Sequence, residues 1–183
     1  MLGWDRRLES WIAGHRVSAL DPIFRWLTYI GVDGIVWLVL AAAVALVARR
    51  WRVLLWVAVA DLIAQLSTDL FKLVIHRSRP RVPTLVAEPH SHSFPSGHAA
   101  SSFACAVILA AFVPRARIAF YVLAALIAFS RAYVGVHYPL DVIAGSLWGV
   151  VIGVAVLEAA GRVTGRSRSS SGSRETPSSR EPP

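Results

Sequence analysis

The stretch from Val53 to Ile75 sets the terms for the rest of the chain. As a helix it is long enough to cross a hydrocarbon core of ~30 Å, yet it is not apolar throughout. Asp61, Gln65 and Asp69 recur every fourth residue, and Lys72 follows three residues after the last. That spacing gathers all four on one helical face. Ionisable groups at membrane depth are costly and face a bundle interior or an aqueous cavity. The run therefore predicts a helix inside a bundle, with a polar face leading to Lys72. Pairing with arginines on neighbouring helices is the alternative, purely structural use of Asp61 and Asp69.

Composition agrees with a bundle in lipid. Of 183 residues, 55% are hydrophobic and only 16% charged, against about a quarter charged in ordinary soluble domains. The net charge of +8 does not indicate nucleic acid, because the arginines sit at the ends of apolar runs rather than on a solvated face. A single cysteine, Cys105, lies inside an apolar run, which excludes an intrachain disulfide and a thiolate metal cluster. The start of the chain has no basic-then-apolar segment with a small-residue cleavage site, so no processed leader is expected.

Residues 1 to 30 mix Trp4, Trp11, Phe24 and Trp26 with Arg6, Arg7, Arg16 and Arg25, a composition suited to a helix in the headgroup zone or to a tilted first span. The apolar run from Gly34 to Ala48 reaches only ~22 Å as a helix, so its span is expected to draw on Leu27 to Val32 as well. Three further runs follow a polar loop, His76 to Phe94: Ala99 to Val113, Ile118 to Val136, and Leu140 to Leu157. The fold expected is all-α, a polytopic membrane helix bundle of five spans, with an N-terminal interfacial or tilted helix that would make a sixth. Gly145, Gly149 and Gly153 share one face, the small-xxx-small spacing that lets helices approach closely. Packing within the bundle is its first use, and a homodimer the other.

Arg49, Arg50 and Arg52, then Arg115 and Arg117, then Arg162, Arg166 and Arg168 fall on one side when the spans are counted. The positive-inside rule makes that side cytoplasmic. The loop His76 to Phe94 and the turn at His137 then lie outside. Residues 1–162 form one membrane-embedded domain in this reading. Residues 163–183, dominated by Ser, Arg, Pro and Gly, are expected to be a disordered cytoplasmic tail.

Three short motifs meet on the external side. KLVIHRSRP, Lys72 to Pro80, puts Lys72 and Arg79 at the end of the second run, and Lys72 is the only lysine in the chain. A compact ammonium serves as a point charge on phosphate, and arginine offers a planar fork. Pro95-Ser96-Gly97-His98 precedes an apolar run; Gly97 lets backbone approach a ligand, and N–H groups at a helix start point at an anion. In SRAYVGVHYPLD, Ser130 to Asp141, His137 and Asp141 are four apart. If a helix begins there, as Pro139 in its first turn permits, the carboxylate reaches the imidazole, fixes its tautomer and frees the other nitrogen as a nucleophile. Arg131 could cap phosphate oxygens.

Taken together, KxxxxxxRP, PSGH and SRxxxxxHxxxD resemble the signature of the type 2 phosphatidic acid phosphatase family, whose superfamily includes bacterial acid phosphatases and vanadium haloperoxidases. The resemblance covers about Trp51 to Gly153, with no motif position substituted. It implies a lipid phosphatase in which His137 attacks phosphorus, Asp141 orients it, and His98 acts as general acid and then activates water. It further implies that Lys72, Arg79 and Arg131, with Ser96 and the Gly97 backbone, hold the phosphate oxygens. No cofactor and no metal are implied: His76, His90, His92, His98 and His137 come with neither an H-x₃-H helix nor a carboxylate-rich site, and three cations occupy the place a metal would take. A bacterial-type cytoplasmic membrane and a lipid phosphate or diphosphate substrate are expected. Undecaprenyl diphosphate is favoured over phosphatidylglycerophosphate, phosphatidate or a polyprenyl-phosphoryl sugar phosphate. A non-catalytic lipid-phosphate binder would need only the cations, and the intact His98, His137 and Asp141 argue for turnover.

Overall fold

A computed structural model describes the backbone of residues 3–171 and the side chains of residues 3–161. Among the described residues there is no strand. The helices are α1 (Gly3–Gly14), α2 (Asp21–Ile30), α3 (Ile35–Ala48), α4 (Arg52–Val74), α5 (Gly97–Phe112), α6 (Arg117–Tyr133) and α7 (Pro139–Ser171). α4, the segment Pro114–Tyr133 and the segment Pro139–Gly161 are each long and apolar enough to cross a membrane. α2 and α3 offer a fourth crossing only if they count as one span bent by 59°. α5 is apolar but shorter, with 16 residues or ~24 Å of helix.

The N-terminal region differs from expectation. It is two helices rather than one, and Leu27 to Val32 does not extend α3 continuously. The chain breaks at a 3-10 turn, Val32–Gly34, where Asp33 (φ 49°) and Gly34 (φ 67°) are both left-handed. Asp61 accounts for the glycine at this turn: a Cβ on Gly34 would collide with its carboxylate. The buried polar face of α4 thus needs a glycine against it, and a left-handed glycine ends a helix cheaply. Asp61 itself accepts from Gln65 Nε2 at 2.8 Å and from Ser101 Oγ, and Asp69 pairs with Lys72 Nζ at 2.9 Å. Among the described residues neither carboxylate pairs with an arginine, so the structural alternative raised by the spacing is not the one realised.

α5 is the axis of the bundle, packed against α4, α6 and α7. Its sequence explains this: Ala99, Ala100, Ala104, Cys105 and Ala106 are fully buried, and small side chains let neighbouring backbones close in. The glycine stripe of α7 uses that face. A Cβ on Gly149 would meet the Ala100 backbone, with its carbonyl carbon only 2.9 Å away, and Gly153 lies over Ala104 and Val107. Outward-facing Leu55, Leu62, Leu66, Leu70, Ile118 and Leu147 are exposed, as expected of a surface that meets acyl chains. Helical backbone continues to Ser171, so it enters the stretch expected to be a disordered tail. Residues 172–183 of that tail lie outside the described residues.

Candidate functional site

All three motifs arrive at one end of the bundle, and hydrogen bonds between them explain how. α4 delivers Lys72 in its last turn. The loop after it returns to the bundle through Arg79, whose Nη1 donates to the Val136 carbonyl at 2.8 Å, while Nε donates to the Ser91 carbonyl at 2.8 Å and Nη2 to Ser91 Oγ at 3.1 Å. Arg79 therefore ties both halves of the loop to the turn before α7. Burial holds its pKa below the usual guanidinium value, against the opposing pull of Glu88 and Asp141. Ser93 N donates to the Arg77 carbonyl at 2.9 Å, closing the loop on itself.

α5 begins at Gly97, with Ser96 as its N-cap residue. The Ser96 N–H donates to the Asp141 carbonyl at 3.0 Å, and its buried hydroxyl has no partner. A Cβ on Gly97 would stand 3.4 Å from Thr68 Oγ1 and 3.7 Å from Lys72 Nζ, so the glycine keeps the approach to Lys72 open. One residue on, the His98 ring lies against Gly31 and the Thr28 backbone of α2, and its Nε2 is buried with no partner.

α6 ends at Tyr133, and the Arg131 carbonyl accepts both the Val136 and His137 N–H groups at 3.2 Å. The tight turn this makes needs Gly135 at φ 85°. His137 lies in that turn, two residues before the first helical residue, Pro139, rather than on the helix. Its Nδ1 still comes within 3.6 Å of Asp141 Oδ2, and its Nε2 within 3.4 Å of Arg79 Nη1. Burial first, then the charges of Arg131, Arg79 and Lys72, push the His137 imidazole well below its ordinary pKa. It is therefore neutral near pH 7. Nδ1 makes no hydrogen bond at 3.6 Å from Asp141; a proton there would face Asp141 and leave the lone pair on Nε2.

Lys72, Arg79, Gly97, His98, Arg131 and His137 line one cavity of about 180 Å³. Asp141 stands behind His137, fully buried, and Ser96 is likewise buried outside the lining. The arrangement offers three cations, a neutral imidazole with an available lone pair and a second imidazole nitrogen in a space that fits one phosphate group. Such a set can bind a phosphoryl group, receive it covalently and move a proton. His76 and His92 instead pack edge to face with each other, 4.8 Å between centroids, and neither lines this cavity.

Several participants were not read from the motifs. Thr28 and Gly31 form the seat of His98, and Thr28 Oγ1 is bonded to Ser130 Oγ at 2.8 Å. Ser91 anchors Arg79. Asp33, Gln65 and Asp69 share the cavity lining with the cations; the fourfold spacing of Gln65 and Asp69 did announce a polar face, but nothing local announced Asp33. Arg77, inside the first motif yet between its named positions, pairs with Asp141.

The sequence profile of the PAP2 superfamily matches residues 51–164. The chain belongs to that superfamily. It is 32% identical over 154 residues to an undecaprenyl-diphosphatase of Sulfolobus acidocaldarius, covering 81% of this chain and 74% of that protein. It is 37% identical over 139 residues to a decaprenylphosphoryl-5-phosphoribose phosphatase of Mycobacterium tuberculosis, covering 72% and 76%. Its fold is that of the transmembrane PAP2 type phosphatidylglycerolphosphate phosphatase of Bacillus subtilis, with a TM-score of 0.74 at 24% identity over 87% of this chain and 85% of that one. Membership makes the chain a lipid phosphatase of the PAP2 type, a multi-pass membrane hydrolase.

Proposed function

We propose that this phosphatase removes the terminal phosphate of a polyprenyl-linked substrate at the external face of a bacterial-type cytoplasmic membrane, through a phosphohistidine on His137 and without a metal. The observation that carries this is the shared cavity: His137 Nε2 and the unpartnered His98 Nε2 meet Lys72, Arg79 and Arg131 around a space of phosphate size. The His137 lone pair attacks phosphorus as the bond to the leaving oxygen breaks, and His98, having taken up the proton of the bound phosphate monoanion on Nε2, gives it to that oxygen. The positive charge that develops on the His137 ring is met by Asp141 across Nδ1. His98, now a base, takes a proton from water; the hydroxide oxygen bonds to phosphorus, the N–P bond breaks and inorganic phosphate leaves. Lys72, Arg79 and Arg131 neutralise the equatorial oxygens throughout, with the Gly97 backbone at their side. Ser96, through its N–H on the Asp141 carbonyl, supports the pair from behind.

Undecaprenyl diphosphate is the substrate that the name of the Sulfolobus relative gives. A phosphorylated sugar on a polyprenyl phosphate is a second reading, favoured by a specific observation. Asp33, Gln65 and Asp69 share the cavity, and carboxylates accept from sugar hydroxyls but repel a second phosphate. The mycobacterial relative acts, by its name, on such a compound. A detergent assay of phosphate release should rank these two substrates above phosphatidylglycerophosphate and phosphatidate. Turnover of phosphatidate with none of either polyprenyl compound would overturn the polyprenyl assignment. Activity should withstand EDTA; loss with rescue by zinc would overturn the metal-free mechanism. A cysteine placed between His76 and Phe94 should react with an impermeant reagent on intact cells, and reaction only after lysis would reverse the orientation.

A further inference from the structure

The polar network behind His137 does not end at Asp141. Asp141 Oδ1 receives Arg77 Nη1, and Nη2 of the same guanidinium goes to Oδ2 of Asp5 on α1. The remaining Asp5 oxygen, Oδ1, accepts the N–H of Leu140 in the first turn of α7 at 3.0 Å. Both carboxylates are fully buried, and the Arg77 side chain is 11% exposed. The guanidinium lies over the Tyr138 ring, 4.4 Å from its centroid.

These contacts assign every oxygen of both carboxylates. Asp141 has one oxygen on Arg77, and the other accepts the Tyr138 N–H at 3.0 Å while facing His137. Because Arg77 fixes the first oxygen, the second cannot turn away from the imidazole. Arg77 is in turn held by Asp5, on a helix that also exposes Trp4, Leu8 and Trp11. The helix that composition assigns to the headgroup zone thus reaches the layer beneath the nucleophile. The guanidinium between the two carboxylates also favours a charged Asp141 oxygen facing His137 Nδ1, the arrangement in which a proton on Nδ1 leaves the lone pair on Nε2.

We propose that Arg77 and Asp5 are positioning residues for the phosphohistidine step, acting through Asp141 on the orientation and tautomer of His137. This rests on the reading of His137 as nucleophile. Neither residue lines the phosphate cavity, so their loss should slow the chemistry and leave binding alone. Misplacing a reacting group by about 1 Å costs on the order of 10²-fold.

The test uses the full-length protein in detergent, with steady-state kinetics and rapid-quench trapping of acid-labile phosphoprotein. Arg77→Gln should lower kcat and the rate of phosphoprotein formation together, by roughly 10²-fold, with KM within about threefold of wild type. Arg77→Lys, which restores the charge without the fork, should recover about tenfold of that loss. Asp5→Asn, which keeps an acceptor for Leu140, should cost about tenfold in the same two readouts. A loss expressed in KM, or wild-type phosphoprotein formation in Arg77→Gln, overturns the proposal. Should Arg77→Gln fail to fold, Asp5→Asn decides: wild-type kinetics in a monodisperse Asp5→Asn protein overturns it. If wild type itself releases phosphate without trapped phosphoprotein, the nucleophile reading has failed instead.

Discussion

The two halves of this bundle are cut from the same helices and filled with opposite materials. Towards the turns at Arg49 and Arg115, the interior is Ala41, Ala45, Val53, Val57, Cys105, Ile108 and Leu109, all fully buried. Towards the loop His76 to Phe94 the buried set is Asp5, Glu9, Asp61, Arg79, Arg131, His137 and Asp141. In the first half, contact area and close backbone approach supply stability, and a buried side chain needs only the right volume. In the second, Asp5, Asp61, Arg79 and Asp141 each hold a partner from a different helix or loop, and removing one member strands another. The apolar half is a frame that sums over many small contacts. The polar half is a set of interlocked choices.

The largest expected effect lies in the polar half and should leave the frame intact. His137→Ala should lower phosphate release by at least about 10³-fold and abolish the acid-labile phosphoprotein, while thermal stability in detergent stays near wild type. A variant that turns over at the wild-type rate would remove His137 from the mechanism. His98→Asn should cost roughly 10²- to 10⁴-fold, and phosphoprotein made from a substrate with a good leaving group should persist longer than in wild type. Rapid hydrolysis of that intermediate would mean that another group activates water.

The apolar half should answer the other way. Gly149→Ala puts a methyl group against the Ala100 backbone, where neither partner is a flexible side chain. It should destabilise the protein by about 1–3 kcal/mol, read as a lower Tm, with little change in the specific activity of the folded fraction. Unchanged Tm would show that α5 and α7 have slack.

The smallest effect probes the seam where α1 joins the polar half. Glu9 is fully enclosed with neither carboxylate oxygen partnered. Burial, aided by Asp5 and Asp141 and opposed by Arg16, pushes its pKa from 4.5 up to about 8. The docked carboxyl thus keeps its proton where an undocked one has lost it. Docking of α1 should weaken as pH rises from about 4.5 to about 8 and level off above. Glu9→Gln should remove that slope, measured by tryptophan fluorescence of Trp4 and Trp11 or by proteolysis between α1 and α2 across the range. A persistent slope would place the titrating group elsewhere.

Much of the frame was legible because its rules are local. Run lengths located α4, α6 and α7, and the spacing of Gln65, Asp69 and Lys72 marked the side of α4 that lines the cavity. The same logic did not show the bend in the N-terminal third. Leu27 to Val32 runs into a 59° bend between α2 and α3, at a turn where Asp33 and Gly34 are left-handed and Gly34 packs against the Asp61 carboxylate of α4. The glycines of α7 announced close packing, but not against what.

The amino-acid sequence by itself determined the inventory: a helical membrane protein of the PAP2 kind, three cations, two histidines and a carboxylate at motif spacing. Tertiary structure alone decided how these are used. It put His98 against Thr28 and Gly31, set Ser96 behind the cavity, and connected Asp5, Arg77 and Asp141, residues separated by 72 and 64 positions. Helical periodicity constrains neighbours three or four apart, and the motif spacing reached little further. The partner of a buried charge is chosen by packing, because only a folded interior excludes water strongly enough to make the choice of partner matter.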